Sequence, residues 1–265
     1  MLQPSLLETF KYFEPTVGSS LADYIMLNPP SDEFEVISVA KYLQPESLMQ
    51  MIEARAVEEK IEDLRVAGAV SNKIYHWAVL PGVLALMTLA GVGLDASVEN
   101  VSLVFKDGEP QALWLHNLNH TVIYPPRFPL PIPNDYSGKL LTSVDQLHSF
   151  VFAGLFQRHL SLLIERVHAL TKVSKKTLWG NAANTCNSTY EELKDCINTE
   201  VVQADYLTLL EQPHSPVMPG RNPLYKLMRT ETLNEPGLPA EIRVRATCCL
   251  IALYHSILLS VVTAL

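Results

Sequence analysis

Across residues 31–64 the apolar side chains recur at helical spacing, the mark of helices with one face turned to a core. Pro45-Glu46-Ser47 supplies a helix start, and Glu53, Arg55, Glu58, Glu59, Lys60 and Glu62 fill the solvated positions that follow. Gly68 reads as a break. From 74 to 90 nearly every position is apolar, which predicts a mostly buried helix ended by Gly91-Val92-Gly93. The period then changes. Val101-Ser-Leu-Val-Phe105 and Ala112-Leu-Trp-Leu115 are rich in strand formers and flank Asp107-Gly108, a pair suited to the positive φ of a hairpin turn.

Between Tyr124 and Pro133 five prolines fall within nine residues, which excludes a helix interior and a central strand and leaves an extended connector. It divides a region 1–124, helical with a β-hairpin, from a helical region 135–265. A proline-motif ligand for another protein is the other reading. Ser143 with Gln146 three residues on is a capping signature for a long helix over 143–169. Further helices are expected over 191–197 and 201–211, and residues 213–239 read as turns because proline and glycine interrupt them. The fold class expected is α+β: mainly helical, with a small antiparallel sheet around Asp107-Gly108.

The chain has 265 residues, 48% of them hydrophobic, enough for one large domain or two closely packed ones. A net charge of −8 argues against a nucleic-acid partner, since such binding needs Lys and Arg against phosphates. Four cysteines do not make a secreted disulfide scaffold, and Met1-Leu-Gln-Pro4 lacks the basic start of a signal peptide, so the cytoplasm is the expected compartment. Two uncharged stretches, 77–94 and 247–265, approach the length of a membrane span. Pro81, Gly82, Gly91 and Gly93 make the first a better buried helix. The second reads better as a buried helix too, with a tail anchor left open.

Candidate chemistry is concentrated near the carboxyl terminus. Cys248 and Cys249 are adjacent, and consecutive Cα atoms lie about 3.8 Å apart where ordinary disulfides want about 4.4 to 6.8 Å. Two thiolates beside Arg243 and Arg245 suit a soft metal centre, because guanidinium charge lowers thiol pKa; two small core residues are the other reading. Walker, GxGxxG, GxSxG and HExxH signatures are missing from the sequence. His116 and His120 stand four apart, but at the end of a hairpin, where a shared metal face does not follow. Cys186 and Cys196 would lie about 15 Å apart on one helix, too far to bridge. In Leu178-Trp179-Gly180-Asn181 a flat aromatic, a close-approach backbone and an amide come together, for packing or for a ligand.

Taken in order, His76 with the following helix to Gly91-Val-Gly-Leu-Asp95, Leu178-Trp-Gly-Asn181, Asn222-Pro-Leu-Tyr225 and Arg243-Val-Arg-Ala-Thr-Cys-Cys-Leu250 resemble the ferric siderophore reductases of the FhuF type. That family shares its fold with part of the siderophore synthetases, and the likeness runs over about residues 70–265. It implies a cytoplasmic protein that reduces a ferric siderophore by one electron, using a 2Fe-2S cluster held by Cys-Cys-x10-Cys-x2-Cys. Cys248 and Cys249 match the first two ligands. Ser260 and Thr263 stand where the other two thiolates belong, and a hydroxyl holds its proton far more tightly than a thiol. The resemblance also implies that Trp179 and Asn181 shape a pocket and that Arg243 and Arg245 steer an anionic chelate. The electron donor is not identified by the sequence. Either a homodimer pools two cysteine pairs, or the protein is a cluster-free siderophore-binding homologue.

Overall fold

The computed structural model describes residues 23–132, 138–196, 198–232 and 241–247. It opens with strands β1 (Ile25–Met26) and β2 (Glu35–Ser38) and helices α1 (Val39–Tyr42) and α2 (Pro45–Glu58). Part of the region expected to be helical is therefore strand. Residues 35–38 satisfy their backbone by pairing with a neighbour, Ile37 opposite Leu103.

Helix α3 (Leu64–Ala90) starts ten residues earlier than its apolar run suggests, where the Asp63 side chain accepts from the backbone N–H of Arg65 at 2.8 Å. Gly68 is no break. It lies inside the helix because a Cβ there would come 2.7 Å from the Thr171 side chain, so glycine permits a close helix crossing. Gly91 ends α3 at φ 61°, the left-handed cap that the sequence suggested. This helix is long and apolar enough to cross a membrane, yet 83% of its most apolar stretch is buried inside the protein.

Strand β3 (Val92–Gly93) leads to β4 (Val101–Lys106) and β5 (Glu109–Leu115). The predicted hairpin is present, with Asp107 and Gly108 at φ 53° and 79° and Leu103 paired with Leu113. It is the centre of a sheet ordered β1-β5-β4-β2, in which β1 runs parallel to β5. Strands β6 (Val122–Ile123) and β7 (Lys139–Leu140) join β3 in a second sheet. The proline connector between them makes a 3-10 turn at Pro125–Arg127.

One continuous rod follows: α4 (Val144–Phe152), a π-helical stretch Ala153–Leu160, and α5 (Ser161–Thr171). Ser143 caps it by accepting from the Gln146 N–H at 3.3 Å, while the Gln146 side chain turns to the Thr142 N–H. Helix α6 (Lys175–Leu193) packs extensively on α3, and α7 (Thr199–Tyr206) runs into a second π-helical turn, Leu207–Glu211. A hairpin then appears where turns were expected: β8 (Met228–Thr232) pairs antiparallel with β9 (Glu241–Arg245). The region after the connector is thus not wholly helical. One hydrophobic cluster extends from Ile25 to Met228, and the fold is α+β with helices dominant.

Candidate functional site

Strand alternation sends every second residue of β9 and its extension toward the helices. Arg243 lays its guanidinium over the Tyr206 ring, 4.3 Å from the centroid, and lies 3.6 Å from Glu211. Two residues on, Arg245 donates from Nη1 to Asn181 Oδ1 at 2.5 Å. Two further, Thr247 presses its hydroxyl into the space that a Cβ at Gly180 would fill. Glycine at 180 is therefore a close-approach residue, and the Trp179-Gly180-Asn181 turn of α6 is the seat on which the strand leading to the cysteine pair rests.

A buried polar chain continues inward from that seat. Asn181 is fully buried, and its Nδ2 donates to Ala69 O at 3.0 Å and to Asn72 Oδ1 at 3.3 Å. Asn72 Nδ2 in turn lies 3.4 Å from His76 Nε2. Positions 69, 72 and 76 share one face of α3, the face turned to α6. Burial, with a smaller contribution from His159, pushes the His76 imidazole down to about 3, so it is neutral near neutral pH. A neutral ring whose Nε2 accepts from Asn72 carries its proton on Nδ1, and that atom finds no partner among the described residues. Trp179 is only 9% exposed, packed in the hydrophobic cluster beside this chain.

A second buried group holds the surrounding frame. Asp205 on α7 accepts both arms of Arg127, at 2.7 and 3.0 Å, together with His148 Nε2 at 2.8 Å and the Thr88 hydroxyl at 2.8 Å. Burial alone would push its carboxyl up, but these hydrogen bonds and charges hold it below the usual carboxylate range. The proline connector is thereby tied to the helix whose next residue, Tyr206, carries Arg243. Nothing in the local sequence pairs these groups, because Arg127 and His148 are 78 and 57 residues away from Asp205. Tyr75 and His159 make a third internal pair at 2.5 Å, and His159 Nδ1 is held by Ala96 O at 2.7 Å.

Cys248, Cys249, Ser260 and Thr263 lie outside the described residues. The described cysteines are Cys186 and Cys196. Cys186 is sealed in the core with its thiol pushed well up by burial, and Cys196 follows the far end of α6, about 20 Å along the helix from Gly180. Neither offers a thiolate beside Thr247. At the ligand positions that the resemblance implies, the sequence carries two thiols and two hydroxyls. His116 and His120 take separate partners, Ser102 Oγ at 2.8 Å and Asp95 at 3.5 Å. Among the described residues no group of three His, Cys, Asp or Glu side chains is placed to hold a metal ion.

The fold is similar to that of the aerobactin synthetase IucC from a hypervirulent pathotype of Klebsiella pneumoniae, with TM-score 0.57, 18% identity, and 73% of this chain and 36% of that one covered. It is similar also to the petrobactin biosynthesis protein AsbB of Bacillus anthracis, with TM-score 0.54, 13% identity, and 92% and 39% covered. Both likenesses show the fold alone, and this chain spans under two fifths of the length of either protein. No curated protein matches the sequence. The model of the family described as ferric iron reductase FhuF-like transporter matches residues 73–238, from within α3 to just short of β9. That segment is more than half of the protein, and the chain belongs to the FhuF-like ferric iron reductase family.

Proposed function

We propose that this protein is a cytoplasmic ferric-siderophore reductase: it takes an Fe(III) chelate, passes one electron to the metal, and releases Fe(II) and the iron-free chelator. Siderophores hold ferric iron through hard oxygen donors that grip ferrous iron far less well, so one electron is enough to free the metal. The electron comes from an external one-electron donor, and no step is assigned to a cluster, given the two missing thiolates. The observation that carries the reading is the family match over residues 73–238, which contains both ends of the His76 to Asn181 polar chain on which β9 is seated.

Ser260 and Thr263 at the cluster positions favour a second reading, a siderophore-binding homologue that transfers no electron. Anaerobic titration of the protein with a ferric siderophore and with the same chelator lacking iron separates the two when a chromogenic Fe(II) trap and a chemical one-electron reductant are present. Saturable binding of the ferric form with protein-dependent Fe(II) supports the reductase. Saturable binding with no acceleration supports the binding protein, and equal binding of both forms of the chelator contradicts each.

A further inference from the structure

A cleft of about 410 Å³ opens between the π-helical end of α7 and the β8–β9 hairpin, lined by Glu211, Lys226, Met228, Arg229, Thr230 and Arg243. Its size falls in the range of small-molecule sites, about 300 to 1,000 Å³. Two cations, Lys226 and Arg243, stand there with one carboxylate, Glu211, in a chain whose net charge is −8, so the cleft runs against the charge of the whole molecule. Each cation is placed by a separate contact. Arg243 is stacked on Tyr206 and paired with Glu211, whereas Arg229, opposite Val244 in the register, has its charge answered by Glu231 at 2.6 Å. Lys226 stands at φ 57°, a backbone conformation unfavourable for a side chain, with its ammonium 5.2 Å from the Tyr225 ring centroid. Lys226 is exposed at the mouth. The Arg243 side chain is 32% exposed.

We infer that this cleft docks the free carboxylates of a net-anionic ferric chelate. Planar guanidinium groups match carboxylate oxygens two at a time, and a nearby ammonium adds a point charge without demanding one geometry. The cleft selects siderophores that keep ionised carboxylates after binding iron and disfavours neutral hydroxamate chelates. Arg243 is common to the cleft and to β9, the strand seated on Asn181, so a chelate docked by its carboxylates lies against that strand. The inference rests on the reading of the protein as one that handles ferric siderophores.

Calorimetric titration of the full chain tests it with two probes: a carboxylate-bearing, net-anionic dihydroxamate iron(III) chelate and a neutral trishydroxamate iron(III) chelate. The anionic probe should bind about tenfold or more tightly over the neutral one at low salt, and added salt should narrow the gap. Lys226→Glu should weaken the anionic probe about tenfold and leave the neutral probe unchanged. Lys226 is at an exposed position, and circular dichroism of the variant checks that it folds. Equal affinity for the two probes, or equal weakening of both by Lys226→Glu, overturns the carboxylate assignment while leaving the broader reading intact. Failure of both probes to bind removes that reading and the cleft's role with it.

Discussion

Cutting the polar chain at Asn181 should cost far more than its size suggests. Asn181→Ala removes two hydrogen bonds donated to Ala69 O and Asn72 and one accepted from the Arg245 guanidinium, all at a fully buried position. Neutral bonds contribute about 0.5 to 1.5 kcal/mol each and a bond to a charged group about 1.5 to 3, so the loss is about 2.5 to 6 kcal/mol. That is a large share of the roughly 5 to 15 kcal/mol by which ordinary domains are stable. Arg245→Ala removes only the outer bond and should cost about 2 kcal/mol. Because the two residues share that bond, the double variant should be less destabilised than the sum by about 1.5 kcal/mol or more. Urea unfolding of the four proteins, with unchanged dependence on denaturant, measures this coupling. Costs that add to within about 0.5 kcal/mol would refute the seat described for β9.

The buried imidazoles make an acid-side prediction. His76 and His159 are pushed down to about 3 and about 4 by burial, whereas an unfolded histidine titrates near 6.5. Between those values the unfolded chain binds more protons, so stability is lost as pH falls from about 6.5. Each histidine should weaken the folding equilibrium by about tenfold per pH unit. Urea midpoints read down the pH scale should show this fall, and His76→Gln should flatten it by about one proton; a flat profile refutes the burial argument. Gly180→Ala must displace Thr247, so it should lower Fe(II) release several-fold at a stability cost of about 1 to 3 kcal/mol, checked by activity and urea unfolding together. Asp205→Asn weakens the hold on Arg127 and His148 and should cost about 3 kcal/mol or more at neutral pH, with a smaller penalty at a pH low enough to protonate the native carboxyl. Alkylation of the native protein followed by mass mapping should find Cys186 protected until denaturant is added.

What the sequence disclosed was local. Asp107-Gly108 announced its hairpin because few residue pairs accept two consecutive positive φ angles, and Ser143 announced its helix because a cap needs only its own first turn. The β8–β9 hairpin was illegible. Proline and glycine around it read as turns, and its partner strands are defined by pairing with each other across an interval rather than by alternation within either. Gly68 misled for a related reason, since its role depends on Thr171, far along the sequence but adjacent across the helix crossing. At the site, the resemblance singled out His76, Asn181 and Arg245 separately. Asn72 was the signal missed: an amide four residues before His76 on an otherwise apolar helix marks the face where a polar chain must be completed. Asp205, Arg127 and His148 gave no local sign, because a buried ion group is visible only once three distant segments are folded together.

The most direct measurement is anaerobic formation of Fe(II) from a ferric siderophore, followed by a chromogenic Fe(II) trap, with a chemical one-electron reductant in limiting supply. With the protein present in catalytic amount, Fe(II) should form faster than with reductant alone, saturate with chelate, and slow in the Arg245→Ala variant. A rate equal to that of the reductant alone, from folded protein that binds the chelate, would contradict the assignment of reductase activity.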